Sequence, residues 1–471
     1  MTKFRAKHKA HAFLGAAFVL LIALMFTACK QPASAEKPEP PAPPAPPKHA
    51  VTFSVEGTPP NGTLKAILGT SEITSGDKVE EGKWVIFTAK ADEGYRVKEW
   101  KLDGNAIKGH KSNTYAHKVT KPAAITVSFE PYSVKLTLSP DKNTVKVKAK
   151  TKDGSAMKVE GCTVTELTSD VETTLTAIGT KVTLIGDIIE LDCRGEKTPG
   201  GNKPLIALDV TGCTALQKLD CRYNFITELD VQGLTALQEL YCNSNMLTVL
   251  DVRGSTALQK LDCNATQLTA LNVSDCTALK ELICNDNELS TLNASGLTKL
   301  QKLNCRNNKI TSLDVSGLTA LQELICSDNQ LSTLDVSGST ALQKLYCSGN
   351  QLASLDVSGL TALQDIICRK NQLSTLNVQG CTSLKQLACY YNKLNADAFI
   401  KLFNDLPKWE ESDGAKAVLY AGPDAYNPQE NDGNCTDFST PESLKKAFED
   451  ARDVKHWKLQ KTGLFGIPSD I

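Results

Sequence analysis

Histidine is scarce in this sequence, and no catalytic motif accompanies it. The chain has 6 histidines in 471 residues, and the expected globular part contains only His110, His117 and His456. It has no glycine-rich phosphate loop, no HExxH metal motif and no GxSxG nucleophile motif. We therefore expect no enzyme activity, no metal site and no cofactor.

An excess of basic residues is also missing. The sequence has 52 Lys and Arg against 53 Asp and Glu, for a formal net charge of -1. Nucleic-acid binding depends on cationic side chains that neutralise phosphates, so nucleic acid is not an expected partner. The 41% hydrophobic and 22% charged residues are typical of folded domains, and 471 residues suffice for two or three of them.

An apolar stretch over residues 12–28 follows a leader with four basic residues. This layout predicts a signal peptide, residues 1–28, and therefore export. The Ala28-Cys29 pair resembles the lipobox of bacterial lipoproteins, with Phe26 where that pattern usually has Leu. The resemblance implies that Cys29 is acylated and holds the chain on the membrane; ordinary secretion is the alternative. Residues 29–49, with the run KPEPPAPPAPPKH, are predicted to be this lipid anchor and a proline-rich stalk.

Residues 50–131 alternate apolar and polar residues in short runs between turn residues, which predicts a β-rich module. The runs GYRVKEW and AITVSFE resemble the divergent form of the internalin-type B repeat of bacterial surface proteins. The resemblance implies a β-grasp-like spacer with Tyr95 and Trp100 in its core. Residues 132–187 continue as a β linker and are predicted to cap the next domain.

Cysteine recurs at intervals of exactly 21 residues, which indicates a structural repeat. The nine positions are Cys221, Cys242, Cys263, Cys284, Cys305, Cys326, Cys347, Cys368 and Cys389. The repeat, LxxLxCxxNxLxxLDVSGxTA, is similar to the nested 21-residue class of bacterial leucine-rich repeats with Cys at the third Leu position. Together with an irregular unit at Cys193, this predicts a solenoid of about ten coils over residues 188–394.

The alternation of strand side chains predicts the orientation of each residue in a coil. Leu321, Leu324 and Cys326 are expected to point inward, whereas Glu323 and Ile325 point to the concave face. We call the nine cysteines spaced by 21 residues the ladder cysteines. Asparagine recurs three residues after them and is expected to hydrogen-bond the backbone of adjacent coils. Thr266 replaces it in one coil, which predicts a local weak point.

Residues at equivalent positions of successive coils form columns, and two of these columns keep the same or a similar residue type. The ladder cysteines are predicted to be core residues, with a metal or redox role as the alternative. Cys213, Cys276 and Cys381 lie elsewhere in the repeat and are predicted to be the more reactive or paired thiols, and the oxidation state of Cys435 is left open. Asp or Asn precedes each Ser-Gly turn and is expected to cap backbone N–H groups, with calcium binding as the alternative.

Two columns face outward on the concave strands. One alternates in charge from Lys218 to Asp365, so that cross-strand pairs can neutralise it. The other turns apolar toward its C-terminal end, and contiguous exposed apolar side chains mark interaction sites. The residues predicted to bind a ligand are Tyr241, Ile283, Ile325, Tyr346, Ile367, Tyr390 and Tyr391.

Residues 395–471 lose the repeat and are predicted to form a small α/β C-terminal cap, with helices near 397–406 and 441–452. The predicted fold class is therefore mainly β. The chain as a whole resembles leucine-rich surface lipoproteins of host-associated bacteria, and that resemblance implies an adhesin-like role. It implies protein partners on host matrix, host cells or bacteria, and an outward-facing outer-membrane location. A periplasm-facing lipoprotein that organises the envelope, or a stalk without a specific ligand, is the alternative.

Overall fold

The computed structural model describes residues 44–471 except residues 93, 109, 111, 422–431 and 463–467. Every element below belongs to the compact unit Lys48–Ile471. The predicted signal peptide, Cys29 and most of the predicted stalk lie outside the described residues. No helix within the described part is long and apolar enough to span a membrane.

The first nine strands form a module of two sheets. They are β1 Lys48–Glu56, β2 Gly62–Leu68, β3 Ser71–Ile73, β4 Lys78–Glu80, β5 Trp84–Ala91, β6 Tyr95–Leu102, β7 Asn105–Ala106, β8 Thr114–Lys118 and β9 Ala123–Pro131. The sheet orders are β4-β1-β9-β6-β7 and β3-β2-β5-β8. Phe87, Trp100 and Ile125 are fully buried, and Tyr95 packs against the same core. The core positions predicted for Tyr95 and Trp100 are confirmed.

Eight more strands lead into the repeats. They are β10 Ser133–Leu138, β11 Thr144–Thr151, β12 Met157–Glu160, β13 Glu166–Leu167, β14 Thr173–Thr176, β15 Lys181–Ile185, β16 Ile188–Asp192 and β17 Leu205–Asp209. One sheet has the order β13-β12-β15-β10-β17, whereas β14, β11 and β16 begin a second sheet that continues through the repeats. The N-terminal cap therefore pairs with the first coil through backbone hydrogen bonds.

Each coil contributes one short strand to this second sheet, which we call the long sheet. The strands are β18 Lys218–Asp220, β19 Glu239–Tyr241, β21 Lys260–Asp262, β23 Glu281–Ile283, β24 Lys302–Asn304, β25 Glu323–Ile325, β26 Lys344–Tyr346, β28 Asp365–Ile367 and β30 Gln386–Ala388. On the other side of the coils, β20 Val249–Asp251 pairs with β22 Ala270–Asn272, and β27 Ser354–Asp356 pairs with β29 Thr375–Asn377. All these pairs are parallel and shifted by one coil.

The packing of one coil follows the predicted alternation. Leu321, Leu324 and Cys326 are fully buried. Glu323 and Ile325 are half-buried on the outer side of the long sheet, which we call the concave face by its place in a leucine-rich-repeat solenoid. All nine ladder cysteines are fully buried as well. The predicted core role of the cysteine ladder is confirmed.

Asparagine joins neighbouring coils as predicted. Asn329 Nδ2 donates to the carbonyls of Cys326 in its own coil at 3.1 Å and of Cys305 in the preceding coil at 3.0 Å. Its Oδ1 accepts the backbone N–H of Ile310 at 3.0 Å. Each buried asparagine thus satisfies three backbone groups that the tight turn leaves without a ladder partner.

Thr266 cannot make the same set of bonds. Its Oγ1 donates to the Cys263 carbonyl and lies 2.9 Å from Asn287 Oδ1, in the following coil. Among the described residues, the backbone N–H of Leu247 has no hydrogen-bond acceptor; an asparagine at position 266 would supply one, as Asn287 does for Leu268. Gln267 also takes a left-handed φ of 77°, which the equivalent residues of the other regular coils do not. The structure therefore supports the weak point predicted at this coil.

The C-terminal cap prolongs the long sheet. It contains α1 Ala396–Asp405, β31 Lys416–Ala421, α2 Glu442–Glu449, β32 Lys458–Thr462 and β33 Pro468–Asp470, with a 3-10 turn at Glu411–Asp413 and a π turn at Asp450–Val454. Strands β31 and β32 follow β30 in parallel. Asn434 repeats the asparagine bonds of the coils, since its Oδ1 accepts the N–H of Leu394 at 2.8 Å. The predicted fold class, a mainly β solenoid between a β module and an α/β cap, is confirmed.

Candidate binding face

The charged column of the concave face extends into both caps. In register order it consists of Lys150, Glu190, Lys218, Glu239, Lys260, Glu281, Lys302, Glu323, Lys344, Asp365, Gln386, Lys416 and Lys458. We call this set the ionic column. Its sign alternates from strand to strand as far as Asp365, and the alternation ends there.

Cross-strand ion pairs neutralise most of the ionic column. The Nζ–Oε distances are 3.0 Å for Lys150–Glu190, 2.9 Å for Lys218–Glu239, 3.1 Å for Lys260–Glu281 and 3.0 Å for Lys302–Glu323. The hydrogen bond from Lys218 lowers the pKa of Glu239. The predicted self-neutralisation is confirmed over these coils. Partly exposed pairs of this kind contribute little stability, but they leave few free charges beside the neighbouring column.

The neighbouring column changes character along the sheet. In register order it consists of Asp192, Asp220, Tyr241, Asp262, Ile283, Asn304, Ile325, Tyr346, Ile367, Ala388, Val418 and Gln460. We call this set the central column. Its N-terminal third is acidic, and from Ile325 to Val418 it is apolar. The two ends of the face therefore offer different chemistry to a ligand.

Tyr241 lies in the polar part and is engaged by its neighbours. Its hydroxyl donates to Glu239 at 3.1 Å, and the Arg222 guanidinium lies 5.2 Å from its ring centroid. Arg222 in turn holds the buried Asp220 carboxylate with two bonds of 2.9 and 2.7 Å. Burial raises the pKa of Tyr241 to about 12. The structure thus separates Tyr241 from the apolar residues with which it was predicted to act.

An open groove of about 400 Å³ lies over the apolar part. Its floor includes Ile325, Tyr346 and Ile367, which are half-buried. Its wall is formed by residues of the turns that follow the strands: Arg306, Ser327, Asp328, Ser348, Gly349, Arg369 and Lys370. Ile283 lies two strands away from Ile325, with Asn304 between them. Three of the predicted contacts therefore share one groove, and Ile283 lies beyond its end.

Tyr390 and Tyr391 follow the last repeat strand, and their rings lie in tilted contact beside Arg369 and Lys370 of the groove wall. Their ring centroids are 5.4 Å apart with an interplanar angle of 59°. The Arg369 guanidinium lies 5.5 Å from the Tyr390 centroid, and Lys370 Nζ lies 5.5 Å from the Tyr391 centroid. These cation–π contacts hold both wall cations beside the groove.

Arg306 and Arg369 were not predicted to contribute to the site. Each directly follows a ladder cysteine, Cys305 and Cys368 respectively, so the 21-residue period places both on the same edge of the concave face. The period that orders the strand residues therefore also predicts the positions of these two turn residues.

The Asp/Asn column caps turns, as predicted. In each of nine coils the side-chain Oδ1 accepts the backbone N–H two residues later, at 2.9–3.3 Å. Asn at 272, 293 and 377 makes the same bond as Asp, so the acceptor atom is what the turn uses. Within the described residues, no group of three His, Cys, Asp or Glu side chains is placed to hold a metal ion.

The prediction that Cys213, Cys276 and Cys381 are the reactive thiols is wrong. All three are buried and free, and their Sγ atoms donate inward to backbone carbonyls at 3.5, 3.5 and 3.1 Å. Burial raises the pKa of each thiol to about 11. Cys435 is only half-buried and is also free. Sequence spacing placed the three residues at a turn but could not show that the side chains point into the core.

Family models match two parts of the chain. Residues 298–339 and 319–361 match leucine-rich repeats, and residues 63–133 match the divergent InlB B-repeat domain. The chain therefore carries leucine-rich repeats and a segment that matches the divergent B-repeat domain. Its fold is that of a protein-interaction scaffold. No match was found among curated protein sequences.

Solved structures with similar folds include the functional domain of InlJ from Listeria monocytogenes, which includes a cysteine ladder. It is 32% identical, with a TM-score of 0.42, over 51% of this chain and 52% of that one. A leucine-rich-repeat protein from Leptospira interrogans is 22% identical, with a TM-score of 0.41, over 52% of this chain and 61% of that one. The internalin InlF from Listeria monocytogenes is 20% identical, with a TM-score of 0.30, over 44% and 84%. The match thus spans about half of the InlJ domain.

Proposed function

We propose that this protein is an exported, lipid-anchored binding protein of the bacterial cell surface, with no catalytic activity. It engages a protein partner through the apolar half of its concave face, in the manner of an adhesin. The signal-peptide layout of residues 1–28, Cys29 and the proline-rich run support export and anchoring. The leucine-rich repeats support protein binding as the activity.

One observation carries the proposal: the concave face has an apolar groove where water-exposed strands usually carry polar residues. Its floor of Ile325, Tyr346 and Ile367 offers apolar area to a ligand, and the neighbouring Lys302 and Glu323 neutralise each other. Half-buried aliphatic and aromatic side chains in a groove are the usual centre of a protein interface. Tyr390 extends that surface at the C-terminal end.

The binding test compares two sets of serine replacements. Purified wild-type protein and the variant Ile283→Ser/Ile325→Ser/Tyr346→Ser/Ile367→Ser are titrated on immobilised matrix proteins, host cells and bacteria. The control variant, Phe225→Ser/Met246→Ser/Val249→Ser, removes side chains that are 42%, 42% and 57% exposed outside the long sheet. We expect the first variant to lose at least tenfold in affinity, about 1.4 kcal/mol, and the control to bind normally. Equal affinities of wild type and first variant would reject the proposed site.

Anchoring is tested separately from binding. The Cys29→Ser variant should move from the membrane fraction to a soluble fraction, because the acylated thiol is lost. Cys435→Ser is the matched control and should remain membrane-bound. Retention of Cys29→Ser in membranes, released only by detergent, would contradict lipidation at this residue.

Surface exposure is tested by adding protease to intact cells. Loss of the protein, with a periplasmic marker preserved, is the expected result. Full protection would assign the protein to the periplasmic side and direct the search toward envelope partners.

A further inference from the structure

The C-terminal end of the ionic column carries lysines that have no carboxylate neighbour in that column. After Asp365 the column continues with Gln386, Lys416 and Lys458, so that two lysines lie side by side on β31 and β32. Both are exposed. Among the described residues, no carboxylate forms an ion pair with either ammonium within 4.0 Å. Like charges in adjacent register repel each other, and nothing in the column offsets that repulsion.

A third cation lies on the groove wall. Arg306 is satisfied by Asp328, with Nε–Oδ2 at 2.9 Å. Arg369, at the same position three coils later, lies over the ring of Tyr390 and forms no ion pair with a carboxylate in the described part of the chain. Three cations without a carboxylate partner in the described part of the chain, Arg369, Lys416 and Lys458, therefore lie at one end of the apolar groove.

The opposite end of the central column has the opposite character. Asp192, Asp220 and Asp262 lie there, and the guanidiniums of Arg194 and Arg222 pair with the first two. Asp262 accepts hydrogen bonds from Asn264 and forms no ion pair within the described part of the chain. The N-terminal end of the central column thus has one unpaired carboxylate, whereas unpaired cations lie at the C-terminal end of the groove, and this difference distinguishes the two directions in which a ligand can lie.

Resting on the proposed function, we infer that the partner inserts an extended segment whose apolar side chains fill the groove and whose carboxylates lie over Lys416 and Lys458. Strands in a sheet are about 4.8 Å apart. The distance from Tyr346 on β26 to the midpoint between β31 and β32 is three and a half strand steps, roughly 17 Å by that spacing. An extended chain covers this in about five residues. The segment therefore carries its acidic residues four to six positions from its apolar ones, by the same estimate.

The inference is tested with displayed random 12-residue peptides selected on the purified full chain. Clones that also bind the variant Ile325→Ser/Tyr346→Ser/Ile367→Ser are removed. We expect the remaining peptides to combine one or two large apolar residues with Asp or Glu at the stated separation. Groove-dependent peptides without an acidic bias would overturn the inference and leave the proposed function standing. If no peptide depends on the groove, the proposed function fails with it.

Charge reversal then tests the two lysines with the selected peptides. Lys416→Glu/Lys458→Glu should weaken binding at least tenfold and, in a new selection, favour Lys or Arg in place of the acids. Lys416→Gln/Lys458→Gln should give an intermediate loss, which guards against a folding defect. The control Lys78→Glu/Lys299→Glu makes the same change in net charge at exposed sites away from the groove and should bind normally. Unchanged affinity of the reversed variant would overturn the inference, as would evidence that the reversal abolishes self-association, because the occupant would then be a second copy of this chain.

Discussion

At the scale of single residues, the asparagine position shows how one side chain determines the cohesion between coils. Asn287, Asn308 and Asn329 each bond backbone groups of two coils. Thr266 has no nitrogen to donate, so the carbonyl of Cys242 receives a bond only from Asn245 among the described residues. The defect is local because each bond concerns neighbouring coils only.

The variant Thr266→Asn should therefore stabilise the protein. The new amide supplies a donor for the Cys242 carbonyl and an acceptor for the Leu247 N–H, and buried hydrogen bonds contribute about 1 kcal/mol each. We expect a gain of about 1–2 kcal/mol in the free energy of unfolding, measured by chemical denaturation. Asn308→Thr is the reciprocal control and should lose a similar amount. A Thr266→Asn variant no more stable than wild type would mean that this coil has relaxed around threonine.

Asp262 gives a prediction for pH. Burial raises the pKa of its carboxyl, so the folded state disfavours the charge. The stability that this group contributes is complete below its unfolded pKa and is lost as the pH rises through its raised folded pKa. Asp262→Asn should thus be more stable than wild type at pH 7, by up to about 1 kcal/mol given the partial access of solvent, and no more stable at pH 3. Asn304 occupies the equivalent position two coils later.

Asp335 provides the control of opposite sign. The backbone N–H of Ser337 donates to its carboxylate and lowers its pKa, so its contribution is present above the unfolded pKa and is lost as the pH falls. Asp335→Asn should therefore show no gain at pH 7. Melting curves of both variants from pH 3 to pH 7 measure the difference, and a parallel response of the two would refute the assignment.

At the scale of elements, the cysteine ladder behaves as a continuous apolar stack. Burial raises the pKa of Cys305 and Cys347 to about 12, and a thiol reacts as its thiolate. Under native conditions a maleimide should label Cys435 and leave the ladder cysteines unmodified, as peptide mass spectrometry would detect. In the Cys435→Ser variant, maleimide should then label no cysteine of the described residues under native conditions. Labelling of a ladder cysteine in the folded protein would contradict the dry-core role.

The strands of the long sheet show which features of the fold follow from the sequence. The exact 21-residue period was sufficient to predict which strand side chains enter the core, because strand alternation and stacking leave one arrangement. It did not predict the inward orientation of Cys213, Cys276 and Cys381, because turn residues do not follow that alternation. Strands β11 and β31 extend the long sheet without carrying that period, and so the ionic column could not be followed into the caps. The groove was partly predicted, as Ile325, Tyr346 and Ile367, but its basic end depends on Lys416 and Lys458, which pairing alone brings beside it.

At the scale of the whole molecule, the groove and the C-terminal cap share a boundary. Strand β31 pairs with the last repeat strand, β30. Asn434 links the two strands further, because its Nδ2 donates to the carbonyls of Cys389 at 2.9 Å and Leu419 at 2.8 Å. In a repeat protein each coil is stabilised mainly by its immediate neighbours. The order of the groove therefore depends on the cap more than on the distant B-repeat module.

The variant Asn434→Ala tests this dependence. It leaves the buried N–H of Leu394 without its acceptor and removes one donor each from the carbonyls of Cys389 and Leu419, whereas Asn392 still donates to Cys389. The expected cost is about 1–3 kcal/mol. Hydrogen exchange should increase in the cap and in the last coils, while the coils near Cys221 keep their protection. Asn245→Ala, at the other end of the solenoid, should produce the reverse distribution.

Because the groove lies in the coils that Asn434→Ala loosens, that variant should also bind groove-dependent peptides with lower affinity, whereas Asn245→Ala should not. Uniform exchange along both variants would show that the solenoid unfolds as one cooperative unit and that the cap has no particular control over the binding face.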